Sequence, residues 1–276
     1  MMKLRFLQFA KILAVLTLAV GLSSCASKDK EGADATSGVK LTPNGSYRTA
    51  STSGPYLRNK DSGLPYDFSG NQSVSISSGP RSQKYIALTF DDGPNPQHTP
   101  RLLDMLKRRN VKATFYVVGR NVAAHPNIVR RTVAEGHEIG NHTWTHRNLK
   151  TLSDEMVSWE LDKTRDAIIS ATGVQPRTMR PPYGAMYQNQ REWVYRKYGY
   201  PTVLWDVDPL DWKKPAPSVV AQRLISGTKN GSILLVHDLH GQSVDAIPQT
   251  IDTLLRQGYQ FVTVSQLVAL RAAQGM

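Results

Sequence analysis

From residue 84 onward, short apolar runs alternate about seven times with segments of helical spacing, and this alternation limits the folds open to the chain. Runs such as 85–90, 113–118 and 232–236 have the length and β-branched content of buried strands. Strands that alternate with helices pair in parallel, because each crossover helix covers a face of the sheet. We therefore predict an α/β fold, a distorted (β/α) barrel of about seven parallel strands, with a doubly wound open sheet as the alternative.

The first 83 residues have a different composition. A basic start is followed by an apolar run at 12–22, which is typical of a secretory signal peptide and short for a membrane span. Residues 25–83 are rich in Ser, Gly, Thr, Asn and Lys and have no hydrophobic period, which favours a flexible tether. We predict a signal peptide at 1–24, a tether at 25–83 and a folded domain at 84–272.

Cys25 is the single cysteine, so the chain has no intrachain disulfide. It ends the sequence Leu-Ser-Ser-Cys, which resembles a bacterial lipobox, and there the thiol receives a diacylglyceryl group. We expect an exported protein that is lipid-anchored to the bacterial cell membrane or outer membrane through Cys25. The alternative is an ordinary signal peptide with a cysteine nearby.

The charge balance is basic, with 34 Lys and Arg against 22 Asp and Glu, a net charge of +12. This balance favours an anionic neighbour such as nucleic acid, a lipid surface or an acidic wall polymer, or it is simply a solvated basic surface. Because export removes nucleic acid as a partner, we expect none. We also expect a monomer.

Five polar clusters each directly follow a predicted strand. The carboxyl ends of the strands of a parallel barrel lie on one face, where active sites form. We therefore expect the clusters to make one site. They are Asp91-Asp92-Gly93-Pro94, His142-Thr143-Trp144-Thr145-His146, Arg180-Pro181-Pro182-Tyr183-Gly184, Asp208-Pro209-Leu210-Asp211-Trp212 and His237-Asp238.

The histidine cluster and the aspartate pair together indicate a metal site. On a helical turn, His142 and His146 would project to one side, a spacing that suits two imidazoles on one ion. Two histidines and one carboxylate form a ligand set for catalytic zinc or another divalent ion such as cobalt. Asn141 and Thr143 are candidate hydrogen-bond partners of these ligands. The alternatives are two surface histidines and a solvated aspartate turn.

Five motifs, in this order, resemble those of the polysaccharide deacetylases, the NodB-homology or carbohydrate esterase family 4 group. The resemblance covers roughly 85–270, which makes 84–272 the expected catalytic domain. The motifs are TFDDGP (89–94), HTWTH (142–146), RPPYG (180–184), DPLDW (208–212) and LVH (235–237).

This resemblance implies a metal-dependent deacetylase that hydrolyses the N-acetyl groups of N-acetylglucosamine in a cell-envelope polysaccharide such as peptidoglycan or a chitin-like oligosaccharide. An O-acetyl esterase acting on a polysaccharide such as xylan has the same motifs. A catalytically inactive glycan-binding lipoprotein is the third possibility. A serine hydrolase is disfavoured, because the sequence has no G-x-S-x-G motif.

The resemblance also implies roles for individual residues. Asp92, His142 and His146 would hold the metal, most often Zn²⁺ with Co²⁺ as a substitute, and Asp91 would be the general base. Arg180 would orient that base. The remaining roles are oxyanion stabilisation by the backbone N–H of Tyr183, acid catalysis by His237 paired with Asp211, and substrate binding by Trp212, Leu235 and Tyr183.

For Asp208, Trp212 and Trp144, the sequence allows two different roles each. Asp208 either pairs with Arg180 or merely ends its strand. Trp212 is either a wall of the acetyl pocket or ordinary core, and Trp144 either borders the sugar groove or packs against the barrel.

The lipobox interpretation makes a direct prediction. Cys25→Ser removes the sulfur that carries the lipid, so we expect the variant to incorporate no labelled palmitate, whereas wild-type protein is labelled. A labelled Cys25→Ser protein would contradict the anchor.

Overall fold

The computed structural model describes residues 74–272. The predicted signal peptide, Cys25 and most of the predicted tether therefore lie outside the described residues. Within 74–272, no helix is both long and apolar enough to cross a membrane.

Seven strands lie within the described part of the chain, and all their pairings are parallel. The main sheet has the order β4-β3-β2-β6, with β7 also paired to β2, while β1 pairs with β5. The strands are β1 Ser75–Ile76, β2 Tyr85–Asp91, β3 Thr114–Val117, β4 Glu138–Asn141, β5 Thr202–Val203, β6 Ile233–His237 and β7 Gln260–Phe261.

Single parallel bridges close this sheet into a ring. Met179 bridges both Asn141 at the end of β4 and Thr202 of β5, and Val207, just after β5, bridges Leu234 of β6. One side of the ring therefore consists of isolated bridges rather than long ladders, which accounts for its distortion. The predicted distorted barrel is confirmed, and the open sheet is not the fold.

In the described part of the chain, eight α-helices follow or connect the strands. The longest, α4, begins after Ser153, whose hydroxyl accepts a hydrogen bond from the N–H of Met156, and ends at Gly173 with a φ of 72°. The helices are α1 His98–Arg108, α2 Gly119–Ala124, α3 Pro126–Ala134, α4 Asp154–Thr172, α5 Gln188–Tyr198, α6 Pro217–Gly227, α7 Gly241–Arg256 and α8 Val264–Ala272.

The strand β2 lies at the centre and is buried on both faces. Ile86, Leu88 and Phe90 pack in one apolar cluster with residues of α1 and α7. Because side chains alternate along a strand, Thr89 and Asp91 point to the opposite side, towards the barrel interior. The same alternation that builds the core thus presents a carboxylate at the carboxyl end of the strand.

The predicted tether boundary at residue 83 needs correction. Ser75–Ile76 is a strand paired with β5, and Ile76 is only 2% exposed. The N–H of Gly79 donates to the carbonyl of Gly231 at 2.7 Å, and a Cβ at Gly79 would lie 2.4 Å from Leu267. The folded unit therefore includes residues from 75 onward. A single buried isoleucine in a serine-rich stretch leaves no hydrophobic period for sequence analysis to detect.

Candidate active site

The carboxyl ends of β2, β4 and β6 bring the predicted residues to one rim of the barrel. In the parallel register, Asp91 stands opposite His237 of β6 and Tyr116 of β3. His142 directly follows β4, and its N–H donates to the carbonyl of Val117 at 3.1 Å. The expectation that the clusters share one face of the barrel is met for these strands.

Asp92, His142 and His146 form a compact group of potential metal ligands. The Oδ1 atom of Asp92 lies 3.3 Å from Nε2 of His142 and 3.0 Å from Nε2 of His146. One ligand atom from each residue lies within 4.8 Å of the others.

The donor set of this group fits a cation. The Nδ1 atom of His142 donates to the carbonyl of Arg180 at 2.7 Å, which leaves the Nε2 lone pair facing Asp92. The Oδ1 atom of Asp92 is buried and has no hydrogen-bond partner among residues 74–272. Acceptor atoms this close together require a proton or a cation between them.

The electrostatics of Asp92 agree with this interpretation. Burial alone would raise the pKa of its carboxyl group, but the neighbouring imidazoles of His142 and His146 outweigh burial and hold that pKa well below its usual range. Asp92 therefore presents an anionic oxygen to the two imidazoles.

The segment that joins the two histidines is not a helical turn, so that part of the prediction is wrong. Thr143 and His146 have φ values of 67° and 59°, in the left-handed region. The N–H of Thr143 donates to Oδ1 of Asn141 at 2.9 Å, and the N–H of His146 donates to Oγ1 of Thr143 at 3.1 Å. Asn141 and Thr143, predicted as partners of the ligands, hold the backbone of this loop.

Asp91 is joined to Arg180 in a buried ion pair. The Oδ1 atom of Asp91 accepts from a guanidinium nitrogen of Arg180 at 2.7 Å, and both side chains are at most 4% exposed. Arg180 also donates to Oγ1 of Thr89 at 2.7 Å and lies 4.3 Å over the ring of Tyr116. The guanidinium is thus fixed on several sides and in turn fixes Asp91. Oδ2 of Asp91 lies 3.7 Å from Nε2 of His142.

The suggested pairing of Asp208 with Arg180 is not formed. Asp208 instead accepts a hydrogen bond from the N–H of Leu210 at 2.8 Å, so it serves the turn after its strand. Trp144 packs between helices α2 and α4, since a Cβ at Gly119 of α2 would lie 2.4 Å from its ring, and Lys163 of α4 lies 4.5 Å over that ring.

His237, which is partly buried, pairs with the fully buried Asp211. One oxygen of Asp211 accepts from Nδ1 of His237 at 2.8 Å, and the other accepts from the backbone N–H of His237 at 2.9 Å. Burial lowers the pKa of the imidazole, but the hydrogen bond and charge of Asp211 outweigh burial and raise that pKa to about 9. His237 is therefore cationic at neutral pH.

The predicted substrate-binding residues differ in exposure. Tyr183, with a left-handed φ of 60°, is 69% exposed, and its ring lies edge-on to His146 at 4.9 Å. Trp212 is 54% exposed, which contradicts the core-packing alternative. Leu235 is 3% exposed and lies on the same face of β6 as His237.

Two buried residues at the site, Thr89 and Asp238, lie within the sequence motifs and clusters but have no role implied by the resemblance. The hydroxyl of Thr89, which accepts from Arg180, donates to the carbonyl of Leu234 at 2.7 Å and so links Arg180 to β6. Its position two residues before Asp91, on the same face of β2, is the sequence signal that indicates a place at the site. Asp238 is fully buried, accepts from Thr99 and lies where a Cβ at Gly93 would be 2.4 Å from its Oδ2. Burial raises the pKa of Asp238 to about 7.

Comparison with known proteins agrees with this geometry. The family described as polysaccharide deacetylase matches residues 78–203. The peptidoglycan-N-acetylglucosamine deacetylase PgdA of Listeria monocytogenes is 42% identical over 197 residues, which cover 71% of this chain and 41% of the relative. The chain thus spans less than half the length of that protein.

Two solved structures are similar over most of their own length. The Bc1960 peptidoglycan N-acetylglucosamine deacetylase is 38% identical with a TM-score of 0.68, over 70% of this chain and 92% of the other. The Bacillus anthracis protein BA3943, described as a family pseudoenzyme, is 32% identical with a TM-score of 0.68, over 71% of this chain and 70% of the other. This chain belongs to the polysaccharide deacetylase family.

The buried ion pair predicts a stability effect. Arg180→Met leaves Asp91 buried without its partner, so we expect the free energy of unfolding of the metal-free protein to fall by about 3–5 kcal/mol in urea denaturation. Arg81→Met is the matched control, because Arg81 pairs with Asp206 at 2.8 Å while 48% exposed, and we expect a loss below about 1 kcal/mol. Equal losses in the two variants would contradict this account.

Proposed function

We propose that this chain is a metal-dependent deacetylase that hydrolyses the N-acetyl groups of N-acetylglucosamine residues in a cell-envelope polysaccharide such as peptidoglycan or a chitin-like oligosaccharide. The observation that carries the proposal is the group formed by Asp92, His142 and His146, with Asp91 beside it and His237 opposite Asp91 in the neighbouring strand. Membership of the family and the substrate named for the Listeria relative support it.

In this proposal, Asp92, His142 and His146 hold a divalent ion, with Zn²⁺ as the first choice and Co²⁺ as a substitute. Three protein ligands of nitrogen and oxygen suit such an ion and leave positions open. When bound, the ion lowers the pKa of a water molecule and polarises the amide carbonyl.

Asp91 is the proposed general base. Its Oδ1 is engaged by Arg180, so Oδ2 is the atom available to accept the proton of the attacking water. Arg180 holds this carboxylate in place and does not itself transfer a proton.

His237 is the proposed general acid. Its Nδ1 is bonded to Asp211, which leaves the proton on Nε2 for the amine that departs. An amide nitrogen leaves readily only when protonated, and the raised pKa of His237 keeps that proton present at neutral pH. In the same proposal, the N–H of Tyr183 stabilises the oxyanion, and Trp212 and Leu235 border the acetyl methyl.

Two alternatives to the N-deacetylase are an O-acetyl esterase and an inactive glycan-binding protein. An O-acetyl esterase would use the same residues, so the amide is favoured by the substrate in the name of the Listeria relative, a peptidoglycan-N-acetylglucosamine deacetylase. The likeness to BA3943 keeps an inactive glycan-binding role as the second candidate. The presence of Asp91, Asp92, both ligand histidines and His237 argues for activity.

We further propose that the protein acts after export, tethered to a bacterial membrane through lipidated Cys25, as a monomer and without a nucleic-acid partner. The lipobox-like sequence before Cys25 and the serine- and glycine-rich stretch that follows it support this location.

Mass spectrometry of glycan fragments tests the proposed reaction. We expect wild-type protein to remove acetyl groups from peptidoglycan or chitooligosaccharide, to lose activity after exhaustive chelation, and to regain it with zinc or cobalt. Asp91→Asn, which keeps the shape of the base but accepts no proton, should release at least about a hundredfold less acetate. Acetate release from acetylated xylan alone would contradict the N-deacetylase, and full activity after chelation would contradict the metal.

The raised pKa of His237 predicts a shift in pH dependence. The acid must be protonated, so activity falls as pH rises through its pKa, and Asp211→Asn removes the charge that raises this pKa. We expect the alkaline limb of the kcat/KM profile to move to lower pH in Asp211→Asn relative to wild type. An unchanged alkaline limb would rule out His237 as the acid supported by Asp211.

A further inference from the structure

Glu160 of α4 is fully buried, and its carboxylate contacts the loop between the two histidine ligands. Its Oε2 accepts from the backbone N–H groups of Trp144 and Thr145, each at 2.7 Å. Its Oε1 accepts from the hydroxyl group of Thr145. One side chain thus takes three hydrogen bonds from two adjacent residues that lie between His142 and His146.

These donors are what compensates the buried charge. A carboxylate removed from water is costly unless it is paired or hydrogen-bonded. Within residues 74–272, Glu160 forms no ion pair with a lysine, arginine or histidine, and its contacts are with the loop. The loop and the carboxylate therefore stabilise each other.

The loop needs acceptors from outside because its backbone is irregular. Thr143 and His146 are left-handed, a conformation that a non-glycine residue keeps only when its surroundings hold it. The other amides of the loop bond to Val117, to the Asn141 side chain and to the Thr143 hydroxyl. The two that remain, in the middle of the loop, both bond to Glu160.

A second contact joins the same helix to the start of the loop. The side-chain amide of Asn141 donates to the carbonyl of Leu161 at 2.9 Å, while its oxygen accepts from Thr143. The helix α4 therefore supports the loop at its base and at its centre.

We propose that Glu160 is a positioning residue that sets the spacing of the His142 and His146 side chains for metal binding. The inference rests on the metal site of the proposed function. Glu160 acts through the backbone of the loop and is not one of the three candidate ligands, so its loss weakens metal affinity rather than removing a ligand. Residues that orient metal ligands without binding the ion typically contribute about tenfold to a hundredfold in affinity.

Calorimetric titration of metal-free protein with Zn²⁺ tests this role without any glycan. We expect Glu160→Ala to weaken Zn²⁺ binding at least about tenfold. Glu160→Gln keeps an oxygen that accepts from the two N–H groups, and its NH2 group donates to the Thr145 hydroxyl, so we expect it to bind within about threefold of wild type. Co²⁺ absorption spectra should show altered coordination in Glu160→Ala and an unaltered spectrum in Glu160→Gln.

Thr164→Val is the matched control. Thr164 is fully buried one turn further along α4 and donates to the carbonyl of Glu160 at 2.9 Å. Its loss should affect stability but leave Zn²⁺ affinity unchanged, which separates positioning from a general structural role.

Wild-type affinity in Glu160→Ala, or a loss in Glu160→Gln as large as in Glu160→Ala, would overturn the proposal. If Glu160→Ala does not fold, Glu160→Asp takes its place, because its shorter side chain cannot reach both N–H groups, and the same threshold applies. Failure of the proposed function is a separate result, namely wild-type protein that binds Zn²⁺ and deacetylates no glycan.

Discussion

The ion pair between Asp91 and Arg180 is the contact on which the rest of the site depends. The guanidinium holds the proposed base by one oxygen and leaves the other free. The carbonyl of the same arginine accepts from Nδ1 of His142 and so turns Nε2 towards Asp92. Arg180 follows Met179, whose two isolated bridges help to close the barrel, and it therefore orients both the proposed base and a proposed ligand.

Two adjacent aspartates can serve different purposes because the backbone changes at this point. Asp91 ends β2 and follows its alternation into the barrel interior, whereas Asp92 has a φ of 76° and leaves the strand geometry. This turn presents Asp92 to the two histidines while Asp91 stays with Arg180. Gly93 is required next, since a side chain there would collide with buried Asp238.

Much of this arrangement follows from the sequence, because strand alternation and polar clusters after strands are local signals. They predicted the barrel, its rim and the residues that meet there. Three features depend on partners that are distant in sequence, and no local pattern specifies them. They are the loop at 142–146 with its two left-handed residues, the strand at Ser75–Ile76 and the contacts of Glu160. Glu160 did leave a trace, a charged residue on the buried face of α4 that also carries Val157 and Leu161. The lipid anchor at Cys25 stays a prediction.

The most direct test of the central claim, that Asp92 holds a metal while Asp91 stays free as the base, is anomalous diffraction from crystals grown with zinc. The account predicts one zinc peak bound by a carboxylate oxygen of Asp92 and the Nε2 atoms of His142 and His146, with Asp91 still paired to Arg180. Zinc bound by Asp91 in place of Asp92, or no zinc at these three residues, would contradict it.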